Sequence, residues 1–101
     1  NREKRKASEY SVSLDELKEI LSTGNTTEKQ VDARNLAKYI GEYLQTVSSQ
    51  KRGMFICRYF YMDSIKTIAD YYGMNESKVK SILYRTRLGL KSHLEKEGIW
   101  L

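Results

Sequence analysis

The sequence of residues 64–94, SIKTIADYYGMNESKVKSILYRTRLGLKSHL, contains the pattern that decides the fold. Ser64 can cap a short helix whose apolar side chains recur at three- and four-residue spacing. Those side chains belong to Ile65, Ile68, Ala69 and Tyr72. Gly73 can end this helix in a left-handed conformation, and Asn75 can cap the helix that follows. Such a short glycine-containing turn is typical of a helix-turn-helix, with an ordinary helical hairpin as the alternative.

The helix after Asn75 has two chemically different sides. At about 100 degrees per residue, most of its apolar positions gather on one side, which we expect to face the interior. This side carries Val79, Ile82, Leu83, Thr86, Leu90 and Leu94. The opposite side combines hydroxyls, cations that suit phosphates and an arginine that can pair with guanine. It carries Ser77, Lys78, Lys80, Ser81, Tyr84, Arg85 and Lys91. A helix that reads the major groove of DNA needs such a side, so this is the candidate DNA-binding surface.

The rest of the chain is also predicted to be helical, which makes the fold all-α with about four or five helices. Ser13 and Glu16 have the spacing of a capping box before a short helix. The apolar positions of that helix are Leu14, Leu17, Ile20 and Leu21. Residues 22–27 are rich in Ser, Thr, Gly and Asn and predict a loop. We therefore divide the chain into residues 1–27, a linker with a short helix, and residues 28–101, a helix-turn-helix domain.

Two further helices are predicted between the loop and Ser64. The first has roughly eighteen residues and ends near Val47. Its apolar positions are Val31, Leu36, Ile40, Tyr43, Leu44 and Val47. Ser48 or Ser49 can cap the next helix, which continues through Phe60. Cys57 lies within it and is expected to be a buried, inert thiol, since free cysteine is usually buried.

Length and composition restrict the classes of function. A chain of 101 residues fits one compact domain. It has neither a run of about eighteen apolar residues nor an apolar stretch behind its basic start, so the protein is predicted to be cytoplasmic. One cysteine and one histidine provide neither a disulfide nor a structural zinc site, and we predict no metal and no cofactor. Paired carboxylates at a defined site, a nucleophile with its base and a phosphate loop are absent, so we do not expect an enzyme. Because residue 1 is Asn, we expect a fragment of a longer protein.

The net positive charge lies in the second half of the chain. Residues 1–50 contain eight Lys and Arg and eight Asp and Glu, whereas residues 51–101 contain ten and five. Residues 77–94 contain five of these cations and no acid. Such an excess attracts a polyanion, although a solvated helix side can have the same composition.

The stretch FICRYFYMDSIKTIADYYGMNESKVKSILYRTRLGLKSHLEKEG, residues 55–98, closely resembles region 4 of bacterial sigma factors of the sigma-70 class, particularly the compact extracytoplasmic-function group. The positions that match the signature residues of the family are Ile68, Ala69, Gly73, Val79, Lys80, Ser81, Leu83, Arg85, Thr86 and Arg87. The likeness covers roughly residues 47–97. Met62 departs from it, because the family usually has glycine there.

The resemblance implies promoter recognition in transcription initiation. Lys80, Ser81, Tyr84 and Arg85 would contact the minus-35 element in the major groove, and Arg58 would hold a backbone phosphate. The partners implied are double-stranded promoter DNA, core RNA polymerase through the flap of its beta subunit, and an anti-sigma factor. The flap would bind the surface of the helices over residues 36–47 and 54–60.

Two alternatives remain open on the sequence. One is the helix-turn-helix output domain of a response regulator, which has a similar recognition helix and usually dimerises. The other is a module that chiefly binds a protein partner, such as an anti-sigma factor, through its basic helix.

Overall fold

A computed structural model of the protein describes residues 16–17 and 33–98, which form helices and turns without a strand. The helices of residues 33–98 are α1 (Ala33–Leu44), α2 (Ser49–Tyr59), α3 (Ile65–Tyr72) and α4 (Glu76–Lys96). The predicted all-α fold is therefore confirmed. None of the helices in these ranges has the length and apolar composition that a bilayer-spanning segment needs.

Several predicted features fall outside the described residues. They are the capping residue Ser13, most of the short helix behind it, the loop over residues 22–27 and the boundary between the two predicted domains. Of the short helix, the structure describes Glu16 and Leu17, and both are helical.

Polar side chains cap three helices at the predicted residues. Ser48 caps α2 and Ser64 caps α3, each by accepting a hydrogen bond from a backbone N–H further along the first turn. Asn75 caps α4, where its Oδ1 accepts the N–H of Lys78 at 2.8 Å. Each cap satisfies a backbone donor that the helix leaves without an intrahelical partner, so the three helix starts follow from local chemistry.

Helix α1 ends at Leu44, earlier than the predicted end near Val47. Thr46 donates both its backbone N–H and its hydroxyl to the carbonyl of Tyr43, at 2.9 and 2.7 Å. Ser48 needs an extended backbone to cap α2, so the chain must leave the helical conformation before it. The apolar spacing at Val47 therefore indicated a partly buried side chain but not a helical one.

Within the described residues, the core consists of two clusters that share helices α2 and α4. The first cluster contains Ile40, Tyr43, Leu44, Phe55, Leu90 and Leu94, and the second contains Met54, Ile68, Ala69, Val79, Ile82 and Leu83. The adjacent residues Met54 and Phe55 of α2 belong to different clusters. Helix α4 contributes its N-terminal half to the second cluster and its C-terminal half to the first. It therefore runs through the whole interior.

Two close approaches explain glycines inside helices. The hydroxyl of Tyr43 donates a hydrogen bond to the carbonyl oxygen of Thr86 at 2.8 Å. It lies where a Cβ on Gly89 would be, and the hydroxyl of Tyr72 likewise lies where a Cβ on Gly53 would be. The missing side chains let a tyrosine from another helix reach the backbone of α4 and α2.

The turn between α2 and α3 contains a backbone conformation that favours glycine. Met62 has a φ of 61°. The following residue, Asp63, donates its N–H to the carbonyl of Cys57 at 2.9 Å, which draws the turn back onto the end of α2. Met62 thus occupies the left-handed region at the position where the resembling family usually has glycine.

Candidate nucleic-acid interface

Helices α3 and α4 are joined by residues 73–75. Gly73 is left-handed with a φ of 66°, and the N–H of Met74 donates to the carbonyl of Ala69 at 3.0 Å, which ends α3. Asn75 is extended and begins α4. Both helices bury apolar side chains in the second cluster. Packing and the short turn together therefore fix their relative position.

The interior side of α4 is buried as predicted. Its buried residues are Val79, Ile82, Leu83, Thr86, Leu90 and Leu94. The hydroxyl of Thr86 donates to the carbonyl of Ile82 at 2.8 Å, which satisfies the polar group of this set. This side of α4 therefore packs in the core and is not available to a ligand.

The side chains of α4 that were predicted to bind DNA are all exposed. They are Ser77, Lys78, Lys80, Ser81, Tyr84 and Arg85. Lys91, further along the same side, is half-buried. The exposed set and the buried set share no residue, so the side available to a ligand is basic and hydroxyl-rich. Contact with DNA stays a prediction.

A continuous stripe, the basic flank, runs along one edge of the exposed side and is made of Lys80, Tyr84, Arg87 and Lys91. Lys80 and Tyr84 are exposed, whereas Arg87 and Lys91 are half-buried. Spacings of four, three and four residues place these side chains above one another along α4. The guanidinium carbon of Arg87 lies 5.6 Å from the centroid of the Tyr84 ring, within the range of a cation–π contact. Arg87 therefore connects the exposed side of α4 with the interior.

In the conformation described here, Arg58 is not available for the predicted phosphate contact. Arg58 is only 2% exposed, and its Nε and Nη2 donate to the two carboxylate oxygens of Glu16 at 3.1 and 3.0 Å. Its Nη1 donates to the carbonyl of Asp63 at 2.8 Å. While it is buried and held in this way, this guanidinium does not reach a DNA backbone, and the phosphate contact stays a prediction.

Glu16 is the centre of a polar network that joins residues 16–17 to α2 and α4. Besides Arg58, its carboxylate accepts the hydroxyl of Tyr59 at 3.0 Å and lies 3.7 Å from Nη1 of Arg87. Arg87 Nη1 also donates to the Tyr59 hydroxyl at 2.6 Å. The neighbouring Leu17 packs against the first cluster. We call the four polar residues, Glu16, Arg58, Tyr59 and Arg87, the Glu16 network.

The network sets the protonation of its members. Burial alone would raise the pKa of Glu16, but hydrogen bonds and charge from Arg58, with help from Tyr59 and Arg87, lower it below the ordinary value. Burial raises the pKa of Tyr59, so its hydroxyl stays protonated and donates to Glu16. Glu16 is therefore a carboxylate at neutral pH, held by two guanidinium groups.

Sequence reasoning missed this network because its members are far apart along the chain. The bond between Arg58 and Glu16 spans 42 residues. The capping-box spacing predicts Ser13 as the partner of Glu16, and the sequence pattern identifies Arg87 only as a match to a family signature. The sequence contains one indication of the network. Glu16 is an acid on a helix with an apolar side, and Arg58 and Arg87 are cations within predicted core helices.

A mostly apolar groove of about 340 Å³ lies beside α2 and α3. Its lining includes Gly53, Ile56, Cys57, Tyr61, Ile68, Tyr71 and Tyr72. Tyr61 and Tyr71 are largely exposed at 65% and 77%, as is Phe60 at 56%. Cys57 is half-buried and not fully buried as predicted. Burial raises the pKa of its thiol, with further contributions from Asp63, which favours the protonated, unreactive form. The groove does not coincide with the predicted flap-binding surface, because α3 forms one of its walls instead of α1.

Comparison of the chain with protein-family models, curated proteins and solved structures gave no match. The assignment of a function therefore depends on the geometry of this chain's own residues.

Proposed function

We propose that this chain binds duplex DNA through the exposed side of α4 and recognises promoters in transcription initiation, in the manner of sigma region 4. It would act in the bacterial cytoplasm, without catalytic activity of its own. The observation that carries the proposal is the separation of α4 into a buried, mainly apolar side and an exposed, mainly basic side, directly after a turn of residues 73–75.

Three properties of α4 support a groove-reading role. Its first turn is exposed, and the backbone N–H groups at this N-terminus favour a nearby phosphate. Lys78 and Arg85 lie on one edge of the exposed side, and the basic flank lies on the other, so cations border a centre that contains Ser77 and Ser81. This arrangement suits contacts to phosphates on both edges and to bases between them.

Arg85 is the residue we expect to read a base. Arg85→Ala should lose roughly 1 to 3 kcal/mol of binding free energy at one or two positions of the preferred site and little elsewhere, because a bidentate contact to guanine is lost. Lys38→Ala is the matched control, since it removes one exposed cation from α1. It should leave specificity unchanged.

The measurement begins with selection of bound duplexes from a random library. Both variants are then assayed on the selected site, its single-base variants and random duplex across a salt series. An equal loss for Arg85→Ala on every duplex would mean that α4 is only a basic surface and would favour the protein-binding alternative. Two chains bound to a palindromic site would favour the response-regulator alternative.

We also propose that the chain docks on core RNA polymerase. The surface predicted for this contact, over residues 36–47 and 54–60, stays a prediction, and the apolar groove beside α2 and α3, which shares Ile56 and Cys57 with it, is the part that we propose to test. An apolar helix of the flap of the beta subunit would bury the exposed aromatic rings of Tyr61 and Tyr71. Titration of an isolated flap peptide should shift the resonances of these residues. Tyr71→Ala should weaken binding, whereas Tyr84→Ala, the loss of an exposed tyrosine on α4, should not. No shift on titration would exclude the groove as the docking site.

A further inference from the structure

We infer that Glu16 occupies, within the same chain, an anion-binding site formed by Arg58, Tyr59 and Arg87, and that this site holds a phosphate of duplex DNA when Glu16 leaves it. The inference rests on the proposed function for its choice of ligand. Glu16 would then act as an intramolecular inhibitor of DNA binding.

The geometry of the site is that of a receptor for an oxyanion. Arg58 binds both carboxylate oxygens through two parallel N–H donors, the arrangement that guanidinium groups use for carboxylates and phosphates alike. Tyr59 adds a hydroxyl donor, and Arg87 adds a second positive charge. Nε of Arg87 is buried and has no hydrogen-bond partner among the described residues. A phosphate has more acceptor oxygens than a carboxylate and could satisfy this donor as well.

Glu16 is the outermost member of the network. Its side chain is 27% exposed, whereas those of Arg58 and Arg87 are 3% and 11% exposed. Departure of the Glu16 carboxylate would therefore make the two guanidinium groups more accessible to an anion from solvent. In the conformation described here, the carboxylate covers them.

The site lies beside the proposed DNA-binding side of α4. Arg87 belongs to the basic flank, and its guanidinium also contacts the ring of Tyr84, which is 49% exposed. A phosphate bound by Arg87 and Arg58 would therefore extend the row of cations formed by Lys80 and Lys91. The positive excess along α4 makes a nucleic-acid phosphate the favoured occupant.

The attachment of Glu16 to the same chain makes it an effective competitor. Tethered groups meet their sites at effective concentrations of about millimolar or more. Free phosphate at comparable concentration should therefore bind poorly to the wild-type protein. Removal of the charge at Glu16 should release the site.

The experiment compares Glu16→Gln with Glu42→Gln, a matched loss of one exposed negative charge on α1. Relative to this control, Glu16→Gln should bind random duplex about tenfold more tightly, as expected for one added charge-assisted contact. Its salt dependence should steepen by about one unit of slope. Addition of Arg87→Ala to Glu16→Gln should abolish both gains.

Inorganic phosphate provides a second readout that is independent of DNA. Millimolar phosphate should raise the melting temperature of Glu16→Gln by several degrees more than that of the wild type or of Glu42→Gln. Lower stability without a response to phosphate or a gain in duplex affinity would mean that Glu16 only holds the fold together, and would overturn the inference. Equal duplex affinity of the two variants would overturn it while leaving DNA binding intact. Failure of every variant to bind duplex would contradict the proposed function, and the phosphate response would then decide whether the anion site exists.

Discussion

Met62 has the positive φ that a glycine would adopt without strain, at 61° in the turn before α3. An L side chain in the left-handed region costs about 1 to 2 kcal/mol. We expect Met62→Gly to have a free energy of unfolding about 0.5 to 1 kcal/mol higher than Met62→Ala, since glycine relieves the strain but gains entropy in the unfolded chain. Both variants lose the same thioether, so their difference isolates the backbone. Urea unfolding measures it, and an alanine variant as stable as the glycine one would show that the turn is unstrained.

Individual residues could be assigned from the sequence where their partners are local. Ser48, Ser64 and Asn75 each bond a backbone N–H within the same turn, so residue type and position were sufficient. Arg58 could not be assigned in this way. Its partner Glu16 lies 42 residues away, and only the folded chain brings the two together.

At the scale of a helix, replacement of a glycine by alanine should have opposite effects on stability in α1 and α4. Gly41 lies in α1 with no atom near the position of a Cβ, whereas a Cβ on Gly89 would overlap the Tyr43 hydroxyl. Gly41→Ala should therefore raise the free energy of unfolding by about 0.5 to 1 kcal/mol through better helix propensity. Gly89→Ala should lower it by about 1 to 3 kcal/mol because the added methyl overpacks the core. Thermal or urea unfolding of the two variants provides the comparison.

Tyr43→Phe tests why Gly89→Ala should lower the free energy of unfolding. Removal of the hydroxyl leaves room for much of the added methyl group, so Gly89→Ala should cost less in the Tyr43→Phe background than in the wild type. A double-mutant cycle gives this coupling. Additive effects of the two substitutions would show that the close approach is not what requires glycine at this position.

The course of the helices was largely readable from the sequence, because apolar spacing and caps are local properties. The buried side of α4 agrees with the spacing at every position from Val79 to Leu94 that was assigned to it. The end of α1 could not be predicted from the sequence. Ser48 must have an extended backbone to cap α2, so the helix ends before the apolar position at Val47. Neither the close approach of Tyr43 to Gly89 nor the groove could be predicted, since both depend on how helices meet.

At the scale of the whole molecule, the Glu16 network should make stability depend on pH in the acid range. The pKa of Glu16 is lowered in the folded state from an ordinary value of 4.5, so the unfolded chain binds the proton more readily. The contribution of Glu16 to the free energy of unfolding is therefore complete above pH 4.5. It is lost as the pH falls through the lower pKa of the folded state. Urea unfolding between about pH 6 and pH 3 should show a steeper loss of stability for the wild type than for Glu16→Gln. Parallel curves for the two proteins would contradict the role assigned to the carboxylate.

The division of α4 into two non-overlapping sets of residues also bears on how such a protein can evolve. Substitutions at exposed positions usually change stability by less than about 0.5 kcal/mol, whereas those in a core change it by several. The outward residues, such as Ser77, Ser81 and Arg85, can therefore be exchanged during divergence at almost no cost to folding, while the inward ones stay constant. A new ligand preference can arise on an old scaffold by changes in a single helix, and related chains are expected to differ most where α4 faces outward.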